Sequence, residues 1–142
     1  MNTKAIDKAI LEIIEKRSEL NKIDYNDERY DDVEDELHEL EDDFIDEHGE
    51  VMEEILGDVH DELCPDSDVL SPISYIADSY IKTGENENGP ELDVTYNQGV
   101  YVEIDDYLHK ETKLVIIPNP LRILLNIDRN TREIIWNNNP VA

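Results

Sequence analysis

DERYDDVEDELHELEDDFIDEHGEVMEEILGDVHDEL, residues 27–63, carries nineteen carboxylates and a single cation, Arg29. The fold turns on whether this stretch is a solvated acidic tail or one side of a helix. Its apolar residues answer the question. At about 100° per residue, Tyr30, Val33, Leu37, Leu40, Phe44, Val51 and Ile55 fall within roughly 80° of one another. The stripe then drifts through Met52, Val59 and Leu63, with His48 inside it. The carboxylates are therefore the outer side of an amphipathic helix. Gly49 could end that helix as a left-handed residue, or sit within it at a cost of about 1 kcal/mol. Because the apolar register carries across Gly49, one long helix is expected, with room for a kink. CPDSD (64–68) ends it, since Pro65 lacks an amide donor and steers Cys64 away from helix.

Working outward, residues Thr3–Asn21 repeat Ile6, Ile10, Ile13, Arg17 and Leu20 at helical spacing, with Asn2 or Thr3 as cap. A short polar connection follows, and Asp24 or Asn26 is expected to cap the acidic helix. Beyond Ser71 the period changes to two. SYIADSYI, ELDVTY, GVYVEID, KLVII, LRILLNI and REIIW are short runs rich in β-branched and aromatic residues. YNQGV (96–100) suits a hairpin loop with Gly99 left-handed, IDRNTRE (127–133) suits another, and TGENENGP (83–90) reads as a polar loop. The expected fold is α+β: an N-terminal helical hairpin with a long acidic second helix, packed on an antiparallel β-meander of five or six strands. We expect a single domain over 1–142, with a helical half 1–64 and a sheet half 65–142.

The last strands are apolar on both sides. Ile116, Ile123, Leu125, Ile127 and Ile134 cannot share a face with Val115, Ile117, Leu124 and Ile135. If the helices cover one face, something must cover the other. A second subunit over Val115, Ile117, Leu124 and Ile135, hence a homodimer, is the first expectation, and a folded-back N-terminal helix is its rival.

Composition narrows the function classes. The net charge of −25 opposes binding to nucleic acid phosphates and to anionic membranes. No apolar run reaches the roughly 18–20 residues that cross a bilayer. One cysteine, Cys64, permits no internal disulfide, and a cytoplasmic setting is expected. The charge is also local. Residues 1–25 hold five acids and five bases, whereas 26–62 hold nineteen acids and one base. Salt adaptation would spread acids over every surface, so it does not explain this concentration.

No G-x-S-x-G elbow, phosphate loop, zinc-protease helix or calcium loop is present in the sequence. An enzyme is therefore the lesser expectation, and no cofactor is expected. The leading expectation is a non-enzymatic interaction module, in the manner of an inhibitor or antitoxin, whose exposed Asp31, Asp35, Asp42, Asp46 and Asp58 meet a basic protein partner. An alternative is a metal site on one helical face, built from Glu34, His38, Glu41 and Asp42. A third reading gives the acids only a solvating role.

Overall fold

The computed structural model describes residues 3–137. Helix α1 spans Lys4–Asn21 and helix α2 spans Tyr30–Leu63, running unbroken through Gly49. At 1.5 Å per residue α2 is about 50 Å long, nearly twice α1. The difference in length explains where the apolar stripe departs from its expected line. Leu37 and Phe44 face α1, but past Gly49 the buried side shifts to Met52 and Leu56, leaving Val51 38% exposed. Only its first half has a helical neighbour; the second half meets the 3-10 turn Pro72–Tyr75 and the sheet.

The caps differ from expectation. Asp24 and Asn26 do not cap α2. Arg29 holds that position, and its amide donates to Asp27 Oδ1 at 2.8 Å. Thr3 holds the position before α1, but its hydroxyl donates to Asp7 Oδ2 and accepts from no helix amide, and Asn2 lies outside the described residues.

The fold is α+β as expected, a helical pair followed by six antiparallel strands, and the strands divide into two sheets. Strands β1 (Ile81–Asn86) and β2 (Gly89–Asp93) make a hairpin, while β3 (Val100–Tyr101), β4 (Lys113–Ile117), β5 (Arg122–Asp128) and β6 (Thr131–Asn137) follow in sheet order. TGENENGP is thus no loop: it holds most of β1 and the tight turn into β2, where the Asn88 amide donates to Asn86 Oδ1. SYIADSYI is no strand either. It begins in the 3-10 turn and adds a single parallel bridge, Ile76 with Ile116. ELDVTY and GVYVEID do not pair with each other, because β2 and β3 belong to different sheets. Gly99 does adopt positive φ (115°), and a Cβ there would stand 2.5 Å from the Leu114 carbonyl oxygen. Its role is to let the chain cross closely over β4.

The helices cover one face of the four-stranded sheet, burying Leu114, Ile116, Ile123 and Leu125 with Ile10, Ile13, Phe44 and Met52. The other face is closed by the same chain. Val115, Ile117 and Leu124 pack with Ala77, Leu92 and Val94, and are no more than 4% exposed, with Leu11, Ile14 and Tyr80 against them. The β1–β2 hairpin and the flank of α1 thus do the covering assigned to a second subunit. Ile135 leaves that set for another reason. A bulge pairs Ile123 with Trp136 and Leu124 with Ile134, so Ile134, expected on the opposite face, shares that of Leu124, and Ile135 packs on the helix-side core instead.

Asp7 ties the two halves together. Its Oδ1 accepts the backbone N–H of Asn119 at 3.0 Å, across 112 residues, at the turn between β4 and β5. Burial pushes this carboxyl above its ordinary pKa, against the opposing pull of the Asn119 and Thr3 hydrogen bonds and the Arg122 charge. A raised carboxyl pKa means the charged form weakens the fold above that pKa. The penalty is relieved as pH falls, and vanishes below the unfolded value of about 3.9. Asp7→Asn keeps an acceptor for Asn119 without the charge, so it should equal or exceed the wild type in urea unfolding at neutral pH. That advantage should shrink at acid pH. Asp7→Ala should lose about 1–3 kcal/mol at neutral pH, because it strands a buried N–H.

Candidate functional site

Position on α2 sorts its carboxylates into two groups. The first faces α1, where Lys16 Nζ meets Glu36 Oε2 at 2.6 Å and Arg17 Nη2 meets Glu41 Oε2 at 2.9 Å. The Arg17–Glu41 side chains are under 20% exposed, and Arg17 also donates to the Ile76 carbonyl at 3.4 Å. This pair joins α1, α2 and the start of the sheet half, so it is part of the frame.

The second group faces water. Asp31, Asp35, Asp42, Asp46 and Asp58 are all exposed. Helical geometry brings the first four within about 60° of one another, whereas Asp58 lies more than about 100° away around the axis. Asp58 therefore does not belong with them. Three residues not singled out in the sequence do: exposed Glu39, Glu50 and Glu53 complete a row. Asp31, Asp35, Glu39, Asp42, Asp46, Glu50 and Glu53 follow steps of four, four, three, four, four and three. Such steps place neighbours on one face about 5–6 Å apart. The row is about 33 Å long. The signal was in the spacing, hidden by the number of other acids around it.

The metal expectation finds no support in the geometry. His38 and Asp42 are exposed, Glu34 is half-buried, and Glu41 is committed to Arg17. Among the described residues no group of three or more His, Cys, Asp or Glu side chains is placed to hold an ion. His48 packs against the Phe44 ring, with centroids 5.7 Å apart.

Three polar anchors went unrecognised in the sequence. Buried His60 has Nδ1 2.9 Å from the Ser67 carbonyl oxygen and Nε2 2.9 Å from the Tyr75 hydroxyl. A carbonyl only accepts, so Nδ1 carries the proton and the Tyr75 O–H donates to Nε2. The same hydroxyl oxygen accepts the Leu70 N–H at 3.0 Å. Asp7 is the second anchor. The third is Asn126, whose Nδ2 donates to the Thr95 and Gln98 carbonyls, while Arg132 grips the Asp93 carboxylate and Lys113 bonds the Asn97 carbonyl. Segment 93–98 is thereby strapped across the sheet. Each anchor is a lone polar residue inside an apolar stripe, which is the signal that could have found it.

A cleft of about 760 Å³ lies between α1 and β2 over Leu11, Ile14, Ile23, Pro90 and Leu92, with Glu15, Glu19, Lys22 and Arg29 also lining it. It offers an apolar floor with charges of both signs and neither histidine nor cysteine. No protein-family model, curated protein or solved structure matches the chain. No described helix is long and apolar enough to cross a membrane.

Tyr75→Phe should cost about 1–3 kcal/mol, because it leaves His60 Nε2 without a donor and the Leu70 N–H without an acceptor. Chemical denaturation gives the magnitude, and faster amide exchange at Leu70 gives the location.

Proposed function

We propose that the protein is a non-enzymatic interaction module that binds a basic protein partner along the outer row of α2. The observation carrying this reading is the row itself: seven exposed carboxylates in unbroken i, i+3/i+4 succession on one 34-residue helix. Like charges at that spacing destabilise a helix by about 0.2–0.5 kcal/mol per pair. The apolar stripe on the opposite side outweighs this repulsion, so the fold tolerates the row without needing it. A cationic surface laid along it would relieve the repulsion, and its long-range attraction would speed encounter. An inhibitor or antitoxin that masks a partner's basic surface is the concrete form of this function.

Two variants separate these readings. Changing Asp31, Asp35, Asp42 and Asp46 together to Asn removes charge from the row, and Asp58→Asn removes charge from the other flank. The fourfold variant should fold and gain a few tenths of a kcal/mol per relieved pair. Basic proteins captured from a lysate at low salt by the wild type and by Asp58→Asn should be lost by the fourfold variant, and released from all by high salt. Equal capture by the fourfold variant would leave the acids with solvation alone.

A further inference from the structure

The turn between β1 and β2 leads into Asn88-Gly89, the sole Asn-Gly pair in the chain. Gly89 has a positive φ of 134°, a conformation that a residue with a side chain rarely adopts. The fold therefore calls for glycine directly after Asn88. Without a side chain, Gly89 also lets its backbone nitrogen approach the Asn88 carboxamide unobstructed. The two asparagines of this turn differ in freedom. Asn86 is held at both ends of its carboxamide: Oδ1 accepts the Asn88 N–H at 2.8 Å, and Nδ2 donates to the Asn119 carbonyl at 3.4 Å. Asn88 is exposed, and its carboxamide bonds to no described residue.

We infer that Asn88 is a self-modification site, converting through a cyclic imide with Gly89 into aspartate and isoaspartate. The Gly89 nitrogen loses its proton to base and attacks the side-chain carbonyl carbon of Asn88. A C–N bond forms, the Cγ–Nδ2 bond breaks, and the amide nitrogen leaves as ammonia. Water then opens the five-membered ring. Opening at the side-chain carbonyl gives aspartate, and opening at the backbone carbonyl gives isoaspartate. One water enters, one ammonia leaves, and nothing is oxidised or reduced. Gly89 is paired with Asn86, so the ring closes only when the turn opens. That opening is local, at the tip of a two-stranded sheet, and costs less than unfolding the chain.

Isoaspartate routes the main chain through the side-chain carbon, adding one atom just before Gly89. The next residue, Pro90, accepts a hydrogen bond from Asn119 Nδ2 at 2.7 Å, so the added atom strains the tie between the hairpin and the β4–β5 turn. Modification thereby loosens the hairpin that covers Val115, Ile117 and Leu124.

The experiment incubates the full chain in alkaline and in mildly acidic buffer and maps its peptides by mass spectrometry. Isoaspartate is scored by methyl transfer from an isoaspartyl methyltransferase. Conversion at Asn88 should be faster in alkali, and should outpace that at exposed Asn97 and Asn130 by roughly tenfold or more, because a following side chain obstructs ring closure there. Asn88→Gln should abolish the methyl-accepting fraction. Amide exchange across residues 89–93 should quicken in the aged wild type and stay slow in fresh Asn88→Asp, which gains the charge without the extra backbone atom. An Asn88 that keeps its amide while Asn97 or Asn130 converts overturns the inference. Conversion that leaves exchange at 89–93 unchanged overturns the loosening of the hairpin.

Discussion

The hairpin formed by β4 and β5 is apolar on both faces, and the rest of the chain is arranged to keep both from water. Leu114, Ile116, Ile123 and Leu125 point toward the helices, and Val115, Ile117 and Leu124 point away from them. An antiparallel sheet in a two-layer fold commonly leaves one face wet. Here that option is closed, so a third element is obligatory. The β1–β2 hairpin supplies it, and the flank of α1 carrying Leu11 and Ile14 fills the edge.

A small covering hairpin needs to be held in place, and polar groups do this. Segment 93–98 is too polar to adhere by hydrophobic burial alone. Asn126, Lys113 and Arg132 reach up from the sheet to bind it, and Arg122 Nη2 donates to the Leu92 carbonyl at 2.7 Å. The cations of the sheet half are thereby largely spent on internal carbonyls and carboxylates. The Arg132 guanidinium holds the Asp93 carboxyl below the usual range, and Lys110 holds the Asp128 carboxyl down to about 2. Little of this positive charge is left to offset α2. The acidity of the outer surface thus follows partly from how the sheet is covered.

Legibility in the sequence tracks the range of the interaction concerned. The helices could be read because their signal is a local repeat: Ile6, Ile10 and Ile13 in α1, and Val33, Leu37 and Phe44 in α2, keep one face over several turns. Strands β4 to β6 could be read because β-branched residues cluster between turn residues. Pairing could not. Whether ELDVTY joins its predecessor or its successor depends on Asn126 and Arg132, more than thirty residues further on. β1 was missed because a strand that covers a sheet, with Thr83, Gly84 and Glu85 inside it, lacks alternation. On α2 the acids were legible as a class, but the row became visible only when the buried side fixed which direction was outward. That step separated Asp58 from Asp31, Asp35, Asp42 and Asp46.

The contact between α1 and α2 already shows how this acidic helix receives cations. Lys16 and Arg17, adjacent in sequence, reach Glu36 and Glu41, which flank the buried stripe of α2 on opposite sides. The Lys16–Glu36 pair is exposed, whereas Arg17–Glu41 is under 20% exposed between the packed helices, so that cation arrives with its geometry fixed by packing. Exposed ion pairs formed without such support contribute little, commonly 0–1 kcal/mol. A partner that met the outer row with mobile lysines alone would therefore gain steering and little residence time. A lasting complex requires cations on a rigid element at matching spacing, as α1 presents them. The row, at three- and four-residue steps on an unbroken helix, has the periodicity of another helix, so under the proposed function a cationic helical face is the surface that matches it carboxylate by carboxylate.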